Sequence, residues 1–212
     1  MNLPGARRAE HPRELYQLAR GPGVIIDLKR SLSMATTLTH RMTVEEFRNL
    51  PETGPFYYEL HDVEPVRVTR PKLKHHILQE HLLELFRSSS AGTGHVSMEP
   101  AFRDLPEHEL RAADVAYVSQ ERWERIDLED NLRGAPDLVV EVLSRSNTLD
   151  ELLGKEKLCL ENGCREIWVV DAKRRQVKVS TPDGITTTFR DGQEIPLRLF
   201  GSGALKVDAI FS

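Results

Sequence analysis

Two acidic residues stand where the sequence leaves little room for charge. Leu138-Val139-Val140-Glu141-Val142-Leu143 is an apolar run with Glu141 inside it, and Ala112-Ala113-Asp114-Val115-Ala116-Tyr117-Val118 holds Asp114 in a similar setting. An ionised carboxylate withdrawn from water without a partner is strongly disfavoured, or else it keeps its proton. Period-two alternation groups Asp114 with Ala116 and Val118, so two neighbouring strands would each set a carboxylate on one face. Like charges at that range repel. A shared divalent cation removes the conflict, and hard oxygen ligands suit Mg²⁺ or Mn²⁺. The plain alternatives are an edge strand with Glu141 in water, or two acids salt-bridged separately. Apolar residues on both faces of the Glu141 strand argue against the first.

Other polar residues carry weaker signals. Lys155 and Lys157 lie on the helix after Glu141, near opposite borders of a stripe formed by Leu152, Leu153, Cys159 and Leu160, and either could curl back toward the strand ends. Cys159 and Cys164, the only two cysteines, fit no zinc spacing and no disulfide framework, so packing is their expected role. Arg67, Arg70, Lys72, Lys74, His75 and His76 form either a phosphate-facing patch or a solvated loop and helix start. Lys173-Arg174-Arg175 reads as turn solvation, and His61 and His108 have no partner at ligand spacing.

The positioning elements follow from pattern. Thr43-Val44-Glu45-Glu46 is a capping box opening a short helix that Pro51 stops. Strands are expected at Phe56–Leu60 and Val66–Val68, and a helix over 74–87 whose apolar face is Leu78, Leu82, Leu85 and Phe86, with His75, Gln79, Glu80 and Glu84 on other faces. Strands at 95–103 and 112–119 precede a polar stretch, 120–134, and then the Glu141 strand. Thr148-Leu149-Asp150-Glu151 caps the next helix, which Asn162-Gly163 ends. A buried strand, Ile167–Asp171, leads to a hairpin at 176–180 and 185–190 turning on Asp183-Gly184. The order implies an α/β (α+β) fold, a mixed sheet flanked by helices.

Composition bounds the rest. The 212 residues fit one domain, 41–212, with an N-terminal extension, 1–40, in which Met34 is a possible second start. With 39% hydrophobic and 29% charged residues the chain reads as globular, and it shows no bilayer-length apolar run and no signal-peptide core, so a cytoplasmic address is expected. A formal net charge of −4 makes the whole molecule no electrostatic attractor of nucleic acid.

The segments MTVEEFRNLP, YELHDVE, PDLVVEVLSRSN and KEKLCLENGCREIWVVD resemble the restriction endonuclease family of bacterial PD-(D/E)XK-like proteins, over about four-fifths of the chain. The resemblance implies an α-β-β-β-α-β nuclease core and a Mg²⁺- or Mn²⁺-dependent endonuclease acting on nucleic acid, DNA before RNA. It places metal-binding acids at Asp114 and Glu141, a further acid at Glu59, and a lysine that has moved from the strand into the next helix at Lys155, ahead of Lys157. His75 matches a histidine that opens the following helix. Homodimers are common among enzymes of this class. Departures are Val63 in place of a turn glycine, Ala113 in place of a proline before the aspartate, Arg145 for proline, and Cys159 for tyrosine. The rival reading keeps the fold as a catalytically inactive interaction or nucleic-acid-binding module.

Overall fold

The computed structural model describes residues 41–51, 57–68, 71–105, 107–144 and 147–212. The extension expected at 1–40, Arg70 and Arg145 lie outside them. Helix α1 (Val44–Arg48) opens on the expected capping box, with Thr43 Oγ1 accepting from the Glu46 amide and the Glu46 carboxylate accepting from the Thr43 amide at 2.8 Å. A hairpin, β1 (Tyr57–His61) and β2 (Glu64–Val68), precedes α2 (Leu73–Ser90). Then come β3 (Gly94–Met98), β4 (Ala101–Arg103), β5 (Arg111–Ala112), β6 (Val115–Ser119), α3 (Gln120–Trp123) and β7 (Leu132–Arg133). The second half holds β8 (Leu138–Val142), α4 (Leu149–Glu161), β9 (Glu166–Asp171), β10 (Gln176–Ser180) and β11 (Thr186–Arg190). A terminal unit, β12 (Glu194–Pro196), β13 (Ala204–Lys206) and α5 (Val207–Ile210), closes the chain.

The main sheet runs β11-β10-β9-β8-β6-β3. Only β8 and β9 are parallel within it, and α4 makes the crossover that a parallel pair requires. Alternation along the central strands feeds two cores. Val140, Val142, Trp168 and Val170 face Leu82 and Phe86 of α2 together with Ile195, Phe200, Leu205 and Ile210 from the terminal unit. Val139, Ala116 and Ile167 face Cys159 of α4 and Phe102 of β4. Edge-on aromatic contacts, Phe86 with Trp168 at 5.2 Å and Tyr117 with Phe200 at 4.7 Å, fix the first core. Gly94 begins β3 where a Cβ would lie 2.2 Å from the Val118 carbonyl, so no larger residue fits.

Several expectations change. The strand expected at 95–103 breaks at Glu99, which has φ 50°, and the one at 112–119 breaks at Ala113-Asp114, so Asp114 lies in a bend before β6 and strand alternation does not govern it. The polar stretch 120–134 contains α3 and β7. The terminal unit is absent from the sequence reading, because Pro196, Gly201 and Gly203 interrupt any periodicity there. On α2 the fully covered residues are Gln79, Leu82, Phe86 and Ser90, so Gln79 belongs to the inner face.

The β1–β2 turn is left-handed at both central residues, Asp62 (φ 43°) and Val63 (φ 68°), the second being the position where a turn glycine is missing. A β-branched residue is strained there. Hydrogen bonds from the Asp62 amide to Glu109 Oε1 (2.7 Å) and from the Val63 amide to the His108 carbonyl (3.4 Å) hold the tip in place.

Candidate functional site

Strands β6 and β8 pair with Val115 opposite Val140, so the next step outward sets Asp114 beside Glu141 at one end of the sheet. Helices reach that end from both faces. From α4, Lys155 places Nζ 2.7 Å from Glu141 Oε1, with side-chain exposures of 12% and 13%, and donates to the Ala112 carbonyl at 2.6 Å. Lys155 and Cys159 are one turn apart on the inner face of α4, whereas Lys157 is 75% exposed and pairs with Glu161. The geometry thus separates the two lysines that periodicity left open.

Asp114 is held differently. His75 Nε2 and Gln79 Nε2, one turn apart on α2, lie 3.0 and 2.8 Å from its Oδ1, and the Val142 amide donates to Oδ2 at 2.6 Å. Asp114 and Glu141 therefore share the sheet end but take their partners from opposite sides, rather than projecting from one face. Neither is locked to an arginine among the interactions described. Glu59, on β1, accepts from His61 Nε2 at 2.6 Å and from the Ala112 amide at 3.4 Å. His61, which no spacing singled out, is thereby part of the site.

The charges are interdependent. Burial pushes the Glu141 carboxyl above its ordinary range against the pull of Lys155, and the charges of Asp114 and Glu59 push it the same way. For Lys155, burial acts against the charged form, but Glu141 and Glu59 outweigh it, and the ammonium holds its proton more tightly than a free lysine. Burial likewise works against ionised Glu59, yet the His61 bond and Lys155 bring its carboxyl below the usual range. The hydrogen bond to Asp114 raises His75. Deeper in, burial lifts Asp104 to about 7 despite Arg111 and Lys155. Cys159 and Cys164 are free and buried, and burial raises both thiols, the second to about 12, as suits packing residues.

Among the described residues Asp114, Glu141 and Glu59 meet His75, Lys155 and His61, of which only the lysine is a permanent cation at neutrality. Carboxylate oxygens at adjacent strand ends fit a hard divalent ion in kind. Among the described residues no three His, Cys, Asp or Glu side chains form a ligand cage. Mg²⁺ needs none, since it binds through one or two carboxylates and keeps much of its water. The basic segment is less concentrated than its sequence suggests: Lys72 and Lys74 are exposed at the start of α2, while His75 turns inward to Asp114. Arg174 and Arg175 pair with Asp171 and Asp191.

A mixed sheet with one parallel pair bridged by a helix, an acid at the end of each of two adjacent strands and a lysine on the crossover helix define a restriction endonuclease-like protein. Residues 44–207 match the sequence model of the Uma2 family, described as "Putative restriction endonuclease", and the chain belongs to that family. A solved structure described as "a putative nuclease belonging to DUF820" from Anabaena variabilis is similar in fold, with TM-score 0.67 and 20% identity over 80% of this chain and 97% of that one. No curated protein matches the chain. Family membership and fold support a nuclease, a hydrolase acting on nucleic acid. No helix among the described residues is long and apolar enough to cross a membrane.

Proposed function

We propose that the chain is a Mg²⁺- or Mn²⁺-dependent endonuclease that hydrolyses phosphodiester bonds, with DNA the first substrate to test. The observation that carries this reading is the buried Lys155–Glu141 pair, 2.7 Å long, at the sheet end where Asp114 adds a second acid. Asp114 and Glu141 would hold the ion, with Glu59 completing its surroundings through water. When bound, the ion supplies Lewis acidity, polarising the phosphate and lowering the pKa of water.

The chain's own groups do the rest. Lys155 keeps its proton, so its ammonium orients the attacking water by donating to the water oxygen and offsets charge that builds on the phosphate oxygens. His75 and Gln79 fix the Asp114 carboxylate from one side, and the Val142 amide fixes it from the other. His61 holds Glu59 ionised. Water attacks phosphorus and gives up one proton to solvent, the bond to the leaving oxygen breaks, and a solvent proton completes the alcohol product.

Glu141→Ala should abolish metal-dependent cleavage of plasmid and oligonucleotide substrates while leaving the circular-dichroism spectrum unchanged. Full cleavage by a folded variant refutes the assignment. An inactive binding module would instead show nucleic-acid binding in the wild type, no cleavage, and no calorimetric uptake of Mg²⁺ or Mn²⁺.

A further inference from the structure

Gln79 is fully buried on α2, in line with Leu82 and Phe86, which pack the core. A residue serving only to fill that position would be apolar, because a buried amide must find partners for two donors and an acceptor. Its Nε2 lies 2.8 Å from Asp114 Oδ1 and 3.4 Å from Glu99 Oε1. Its Oε1 has no hydrogen-bond partner among the described residues. One face of the amide is therefore committed to carboxylates, while the other leaves an interior acceptor open to a donor such as an ordered water.

From this we infer that Gln79 is a positioning residue: it acts through Asp114, fixing the direction of that carboxylate and hence the affinity of the site for a divalent cation. The inference rests on the reading of Asp114 as a metal ligand. Three donors from two elements hold Asp114, and each constrains it differently. The Val142 amide takes Oδ2 along the strand edge, while His75 and Gln79 take Oδ1 from α2. Of the two side chains only Gln79 is neutral at every pH, so it can orient the acid without competing with a cation for its charge. Glu99, in left-handed backbone at the β3–β4 break, meets the same amide, which keeps that carboxylate engaged beside Asp114.

The test is Mn²⁺ binding by calorimetry on the full chain without nucleic acid, for wild type, Asp114→Asn, Gln79→Met and Gln79→Asn. Methionine keeps the length and loses the donors, whereas asparagine keeps an amide one methylene too short to reach Asp114. Groups that support metal ligands typically change affinity 10- to 100-fold when removed, so each Gln79 variant should bind Mn²⁺ about 10-fold or more weakly. Thermal unfolding in EDTA identifies the folded variants, and the second substitution covers failure of the first. A packing role alone would lower the melting temperature and leave Mn²⁺ affinity untouched. Wild-type affinity in a folded Gln79 variant, with binding lost in Asp114→Asn, overturns the inference and spares the metal site. No Mn²⁺ binding by the wild type overturns the metal site and the inference with it.

Discussion

Replacing Lys155 with methionine probes the whole electrostatic argument. The substitution keeps the side-chain length and removes the only cation among the described residues that meets Glu141 Oε1, where both side chains are nearly covered. Breaking a buried pair by removing one partner destabilises by about 3–5 kcal/mol. Loss of the donor to the Ala112 carbonyl adds roughly 1 kcal/mol. For a domain of this size each 1 kcal/mol moves the melting temperature by about 2–4 °C, so a fall of roughly 8–24 °C is expected above neutrality in EDTA. Protons and divalent ions should each restore much of it. Burial already raises the Glu141 carboxyl in the folded state, and removing Lys155 raises it further. The folded variant then binds a proton more tightly than the unfolded chain, so its stability falls as pH rises through the folded pKa and recovers as pH drops toward the ordinary carboxylate range. A cation binding only the folded state at 100 times its dissociation constant returns about 2.7 kcal/mol. Differential scanning fluorimetry across pH, with and without Mn²⁺, reads both effects. A deficit that is equal at mildly acid and alkaline pH, and indifferent to Mn²⁺, would refute the reasoning.

Two further outcomes concern the frame around the site. Val63→Gly should relieve a left-handed valine at φ 68°; about 1–2 kcal/mol of strain is partly offset by the greater freedom of glycine when unfolded, leaving a gain near 0.5–1 kcal/mol in chemical denaturation. Burial disfavours ionised Asp130, but hydrogen bonds to Arg48 and Arg103 hold its carboxyl well below the usual range, so it contributes stability above its unfolded pKa that disappears as pH falls through the folded one. Asp130→Asn should therefore lower stability at neutrality and flatten the acid limb of the stability profile, and an unchanged acid limb counts against this account.

The sequence already carried much of this site, for physical reasons that differ by residue. Glu141 stands out because an acid amid Val-Val and Val-Leu contradicts its surroundings, and Thr43 and Thr148 announce their helices because both partners of each capping box are local. For Lys155 periodicity gives only a border position; the family resemblance favoured it over Lys157, and the packing of α4 on β8 and β9 turns it inward. Gln79 escaped because polar residues are assigned to the wet side of a helix, although 79, 82, 86 and 90 share one stripe at helical spacing. His61 escaped because its partner, Glu59, sits two residues away on one strand face, a spacing too common to draw notice. The break at Asp114 and the small terminal unit had no local signal, since tertiary pairing decides them.

The partners of this site are unequally distant along the chain. Glu141 and Lys155 belong to one strand–helix–strand crossover, so their meeting needs only local collapse. Asp114 meets Gln79 across 35 residues and His75 across 39, and Glu59 reaches Ala112 across 53. Closing longer loops costs more chain entropy, so these contacts depend on cooperative formation of the sheet. A half-unfolded chain can thus hold its lysine and one acid together while lacking the second acid in place. The site is therefore complete only when α2, the β1–β2 hairpin and the β8–α4 crossover have all assembled.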